Sequence, residues 1–212
     1  MSQTPTKANL RALLCLGLAT PWILIASACQ EPVPEVTPEE GTLVAQLAEP
    51  AAGELLRTLV GQLTTAVEAG GPASAVEFCS IEAIPLTRLL ESGLDGGLKL
   101  KRTSFRVRNW DNAPDEAEEM ALRYFEEAII DHGEAPSYYV QKVSDEEFRY
   151  YKPLFVAEFC LQCHGEPEGM EPEVLRRLQT AYPEDLATGY SVGDFRGAVR
   201  VSVPSALITD LE

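Results

Sequence analysis

Cys160-Leu161-Gln162-Cys163-His164 constrains this chain more than any other stretch. Cysteines at i and i+3 of one helical turn lie on the same face, with Cβ atoms about 5–6 Å apart. That spacing lets two thiols add to the two vinyl groups on one edge of a haem. A histidine directly after the second cysteine is then delivered under the ring, where its imidazole ligates iron. One covalently attached haem c is therefore expected, bound through Cys160 and Cys163 with His164 on the metal. A redox dithiol would sit at a helix N-terminus beside a βαβ pattern, which is absent. Half of a zinc site would need a second Cys/His pair, and the sequence offers none.

Covalent haem attachment requires export, and the N-terminus reads as an export address. Lys7 and Arg11 form a short basic region, followed by an apolar run from Ala12 to Ile25 that is broken at Thr20-Pro21. It ends in the small residues Ala26-Ser27-Ala28 before Cys29, so residues 1–28 are read as a signal peptide. Cleavage before Cys29 could be ordinary, or Cys29 could be the lipidated first residue of a lipoprotein. An N-terminal thiol with no other evident use favours the lipoprotein. An uncleaved anchor is disfavoured by the short, Pro-interrupted apolar run. Residues 29–48 are read as a tether, since Gln30–Glu40 (QEPVPEVTPEE) is too rich in Pro and Glu to bury anything. The expected location is the periplasm, with membrane contact only through the Cys29 lipid. A formal net charge of −16 repels phosphate backbones and argues against nucleic acid as a partner.

The body reads as one α+β domain. Leu55, Leu56, Leu59, Val60, Leu63 and Val67 form a helical stripe over Glu54–Glu68, stopped by Gly70-Gly71-Pro72. A second helix is expected over Ala73–Ile84, with Pro85 kinking or splitting it before Leu86–Leu90. Leu98–Val107 alternates like a strand. Pro114 suits the first turn of a following helix, whose start carries Asp115, Glu116, Glu118 and Glu119 and whose end lies near Asp131-His132-Gly133. Ser137–Val143, Phe148–Val156 and Arg196–Val203 read as further strands.

Five cysteines leave one unassigned. Cys15 falls in the leader, Cys29 at the processed terminus, and Cys160 and Cys163 in the haem motif. Cys79 is either a small buried hydrophobe on a helix or a thiolate ligand in the sixth position of the iron. Rivals for that position are Met120, read as a core residue of its helix, Met170, which follows His164 closely, and His132, placed at a helix C-terminus.

Four blocks carry a resemblance over most of the chain after the tether: AVEFCSIEAIPLT (Ala75–Thr87), KRTSFRVRNWDNAPDE (Lys101–Glu116), FRYYKPLFVAEFCLQCHG (Phe148–Gly165) and YPEDLATGYSVGDFRGA (Tyr182–Ala198). Together they resemble a family of exported c-type haem domains with a PAS-like fold. This domain of unknown function occurs alone or as the sensor part of histidine kinases and chemoreceptors. The resemblance implies a PAS-like antiparallel sheet flanked by helices over residues 49–212, with N-terminal helices ahead of it. It also implies that iron is held by His164 and by Cys79. Trp110 departs from the pattern, where proline is expected after Arg108-Asn109; no ligand is affected.

His/Cys ligation has consequences. An anionic thiolate favours ferric over ferrous iron and pulls the reduction potential below that of a His/Met pair. It loses donor strength on protonation or on iron reduction, so Cys79 could leave and open a site for a small gas. The expected function is a redox or diatomic-gas sensing module, not an enzyme, with output through a separate protein. The alternative is a membrane-tethered electron-transfer cytochrome, which needs only the haem. A peroxidase would need a distal base, and only His132 is on offer. Lys101, Arg102, Arg149 and Lys152 are candidates to pair with haem propionates, each with an ordinary solvated surface charge as the competing reading.

Overall fold

The computed structural model describes residues 35–209. The expected signal peptide, Cys15 and the expected processing site at Cys29 lie outside the described residues.

Helix α1 (Pro38–Ile81) opens with reciprocal capping: Thr37 Oγ1 accepts from the Glu40 amide, and the Glu40 carboxylate accepts from the Thr37 amide. Pro38 occupies the first turn, where its missing N–H costs nothing. The tether boundary at residue 48 therefore moves. From Pro38 the chain is helix, Val44 and Ala48 are fully buried, and Val36 packs against the same core. The composition misled because cap, N1 proline and first-turn acids look like a Pro/Glu linker. The buried stripe Val44, Ala48, Ala51, Ala52, Leu55 and Leu59 recurs at helical spacing, and its alanines let α1 lie close on the sheet. At Gly71 (φ 77°, ψ 173°) the helix breaks in the left-handed half of backbone space, which side-chain-bearing residues rarely adopt. Its last segment, from Pro72 to Ile81, thus stands as a separate arm.

Glu82 stays in the right-handed helical region and joins α1 to α2 (Ala83–Ser92), donating to the Phe78 carbonyl and accepting from the Leu86 amide. Pro85 is not a kink: it sits in the first turn of α2, where no hydrogen bond is lost. Likewise Pro114 precedes, rather than enters, α3 (Glu116–His132), whose cap is Asp115 in a reciprocal pair with Glu118. Strands β1 (Lys99–Thr103), β2 (Tyr139–Lys142), β3 (Glu147–Phe155) and β4 (Phe195–Pro204) form one antiparallel sheet in the order β1-β4-β3-β2. This is the expected α+β class. Short helices α4 (Leu161–His164), α5 (Pro172–Ala181) and α6 (Ala206–Thr209) complete it.

One sheet face carries Leu100, Phe148, Tyr150, Val199, Val201 and Val203 against the stripe of α1. On the other face, Ala121, Leu122 and Phe125 of α3 pack on Tyr151 and Ala198. Beside them Glu118 is fully buried, 2.6 Å from Lys101 Nζ and 3.5 Å from Arg200 Nε. β1 ends earlier than its alternation suggests. Gly197 on β4 (φ 140°) approaches so closely that an added Cβ would collide with the Thr103 carbonyl, and Ser104 turns away to donate to the Arg196 carbonyl at 2.7 Å. The chain from Ser104 to Ala113 is thereby free to wrap the end of the sheet. Among the described residues, no helix is long and apolar enough to cross a membrane.

Candidate cofactor site

β3 hands the chain to the cysteine motif. Val156 is clamped to the loop before β4, its amide donating to the Asp194 carbonyl at 2.9 Å and its carbonyl accepting from Gly193 at 2.8 Å. A single turn (Glu158–Cys160) then leads into α4, so Cys160 and Cys163 stand three residues apart at the two ends of one helical turn. The end of the motif is pinned in the same way: Tyr190 donates to the His164 carbonyl at 2.9 Å and Gly189 to the Gly165 carbonyl at 2.7 Å.

His164 Nδ1 lies 2.7 Å from the Ala187 carbonyl. A carbonyl can only accept, so Nδ1 carries the proton and Nε2 keeps its lone pair for a metal. Desolvation, reinforced by the Arg108 charge, pushes the imidazole pKa well below its ordinary value and keeps the ring neutral. Arg108 ties this arrangement together. Its Nε donates to Asp185 at 3.0 Å and its Nη2 donates to the carbonyls of Cys163 at 2.5 Å and Ala187 at 3.2 Å. Asp185 in turn accepts from the Ala187 amide at 2.8 Å. One buried ion pair therefore holds both the motif and the carbonyl that orients its histidine.

Cys79 approaches from the other side, on the arm of α1 beyond Gly71. The arm packs on α5, with Val76 against Met170, Val174 and Leu178. Burial pushes the Cys79 thiol pKa up, while Arg108 and Arg102 pull it back. Cys163 is raised by burial too, with Arg108 opposing and the neighbouring thiols of Cys79 and Cys160 adding to the rise. Cys79, Cys160 and Cys163 are all free and half-buried.

Two cavities meet here, and Cys79, Arg108 and His164 line both. One, about 560 Å³, is apolar, with Leu63, Val67, Ala75, Phe159 and Leu178 around Cys160 and Cys163. The other, about 790 Å³ of space open to solvent, has the more polar lining, with Arg102, Ser104, Asn109, Asn112, Tyr182 and Arg196. A haem has an apolar vinyl edge and a carboxylate-bearing edge, and the paired cavities match that asymmetry. Arg102 Nε is buried without a hydrogen-bond partner among the described residues, as expected if an anionic group belongs beside it. Among the described residues, no group of three or more His, Cys, Asp or Glu side chains could hold a metal ion by itself.

The rivals for the sixth position fall elsewhere. Met170 is buried in the α5 cluster, and His132 ends α3 in solvent. Met120 is not core but 41% exposed, because it lies on the outer side of α3. Of the four basic candidates, Lys101 pairs with Glu118, Arg149 with Asp115 and Glu147, and Lys152 with Glu49. Arg102 alone lines the cavity. Sequence reasoning passed over Arg108 and Arg196, although both stand in the four blocks; nothing local distinguishes them from solvated arginines.

A family model described as Tll0287-like: Tll0287 matches residues 26–204. The crystal structure of the cyanobacterial heme-protein Tll0287 superposes with a TM-score of 0.54 at 21% identity, covering 80% of this chain and 97% of that one. That likeness extends to the fold. No curated protein matches.

Proposed function

The chain belongs to the Tll0287-like family, and from that premise we propose that it is a haem-binding protein whose domain is PAS-like and carries one covalent haem c. A similar fold is described as a heme-protein, and the residues around the paired cavities suit the same cofactor. Cys160 and Cys163 are the attachment points. Each thioether forms when an S–H adds across a vinyl group: sulfur bonds to one carbon and the hydrogen goes to the other, so no oxidant is consumed. His164, with Nδ1–H committed to Ala187, offers Nε2 to iron, and Cys79 offers its thiolate. Bound haem supplies a one-electron iron couple and a coordination position.

One observation carries this reading: Cys79 and His164, far apart in sequence, line the same two cavities. A redox or gas-sensing role follows from where Cys79 sits. Its arm is set off by the break at Gly71, so movement of the thiolate is passed to a segment separate from the sheet-packed part of α1. The protein is assigned no catalytic residue, and it works in the periplasm, anchored through lipid on Cys29.

Two measurements test this. Haem should stay with the polypeptide through denaturation and acidified organic extraction; complete partition into the organic layer would refute attachment. Cys79→Ser should keep its haem, lose sulfur-to-iron charge transfer in the ferric spectrum and raise the midpoint potential. Identical spectra and midpoints would remove Cys79 from the iron and leave the electron-carrier function.

A further inference from the structure

The lining of the more polar cavity carries more positive charge than its own side chains neutralise. Arg102, Arg108 and Arg196 line it, and no Asp or Glu does. In a chain of net charge −16 that local excess calls for an occupant. Two of the three arginines have partners. Arg108 is paired with Asp185, and Arg196 Nη1 donates to Ser104 Oγ at 2.7 Å and to the Arg106 carbonyl at 3.1 Å. Among the described residues, Arg102 has none at its buried Nε. It stands on β1 opposite Val199, so it is held by the sheet rather than by a loop. Burial lowers its pKa from the ordinary arginine value, against a weaker pull from Cys79 and Tyr182.

A buried guanidinium without an anion is expensive, and its planar fork matches a carboxylate in two-pronged fashion. The cavity shares Cys79, Arg108 and His164 with the apolar one around Cys160 and Cys163. A ligand filling both must therefore present an apolar, vinyl-bearing edge to the cysteines and carboxylates to the arginines. We propose that Arg102, assisted by Arg196, is the carboxylate receptor of this site, taking the haem propionates and so fixing which edge of the ring meets Cys160 and Cys163. This rests on the haem reading above. It makes Arg102 a positioning residue that acts before any thioether forms.

The test compares wild type, Arg102→Gln and Arg102→Lys as holoproteins, using resonance Raman spectra of the propionate modes and midpoint potentials. Removing a cation beside the haem should favour ferric iron. In Arg102→Gln the ferric-to-ferrous ratio at fixed potential should rise about tenfold, a downward shift of about 59 mV for a one-electron couple, and the propionate modes should move. Arg102→Lys should recover most of the midpoint but not the modes, because an ammonium supplies a point charge without the fork. Unchanged modes and midpoint in a haem-bearing Arg102→Gln would overturn the assignment while leaving the haem reading intact. Should that variant fail to fold, unchanged modes in Arg102→Lys would overturn it equally. Wild type devoid of haem would instead overturn the reading on which the proposal stands.

Discussion

Arg108 shows how much one side chain can organise. It and Asp185 are only 10% and 11% exposed, and between them they hold the Cys163 carbonyl and both polar groups of Ala187. Breaking a buried pair from one side strands a charge, which costs about 3 kcal/mol or more. Arg108→Gln should therefore lower the stability of the haem-free protein by about that amount in urea unfolding. The Arg108→Gln, Asp185→Asn double variant should recover part of the loss, because no lone carboxylate is left behind. Additive losses would mean that the two side chains act independently. Nothing in the KRTSFRVRN stretch marks Arg108 for this role, since its partners lie in another block.

At the scale of elements, the helix ends obey local rules. Asp115 caps α3 and also meets Arg149 at 2.8 Å. Burial alone would raise its pKa, but the Glu118 amide and then Arg149 outweigh that and hold it below the ordinary carboxylate value. A depressed folded-state pKa means that the stabilisation is complete above the unfolded-state value. It is lost as pH falls through the folded-state value. Asparagine caps about as well as aspartate, so Asp115→Asn isolates the charge. It should cost about 0.5 kcal/mol at neutral pH after solvent screening, and the difference from wild type should vanish in acid. A gap that persists unchanged below the aspartate range would assign the effect to the cap geometry instead. The acidic start of α3 was legible in sequence, as were all four strands, because each rests on residues a few positions apart; the cap itself was not, since Pro114 was placed inside the helix.

For the whole molecule, the decisive feature is where the core begins. Val44 and Ala48 are fully buried under the sheet, and Leu43, Ala45 and Leu47 pack beside them. A chain beginning at residue 34 should match the full-length protein in urea unfolding. One beginning at Glu49 should lose well over about 2 kcal/mol, since it strips buried side chains from the main core and leaves their space open. Equal stability of the two would restore the longer tether. Sequence reading placed this boundary too late because α1 starts with alanine-rich turns, whose apolar stripe is faint beside the leucines that follow.

The sequence by itself determined the α+β class, the four strands and the cysteine–histidine turn, because each is written within one turn or one alternation. Only the tertiary structure decided that Glu118 is buried among Lys101 and Arg200, and that Lys101, Arg149 and Lys152 are spoken for while Arg102 is not. It also placed Cys79, which the resemblance had paired with His164, on the cavities that His164 lines. The reason is physical. Whether a charged or thiol side chain is solvated, paired or left facing a cavity depends on neighbours supplied from distant parts of the chain, and no local pattern carries that information.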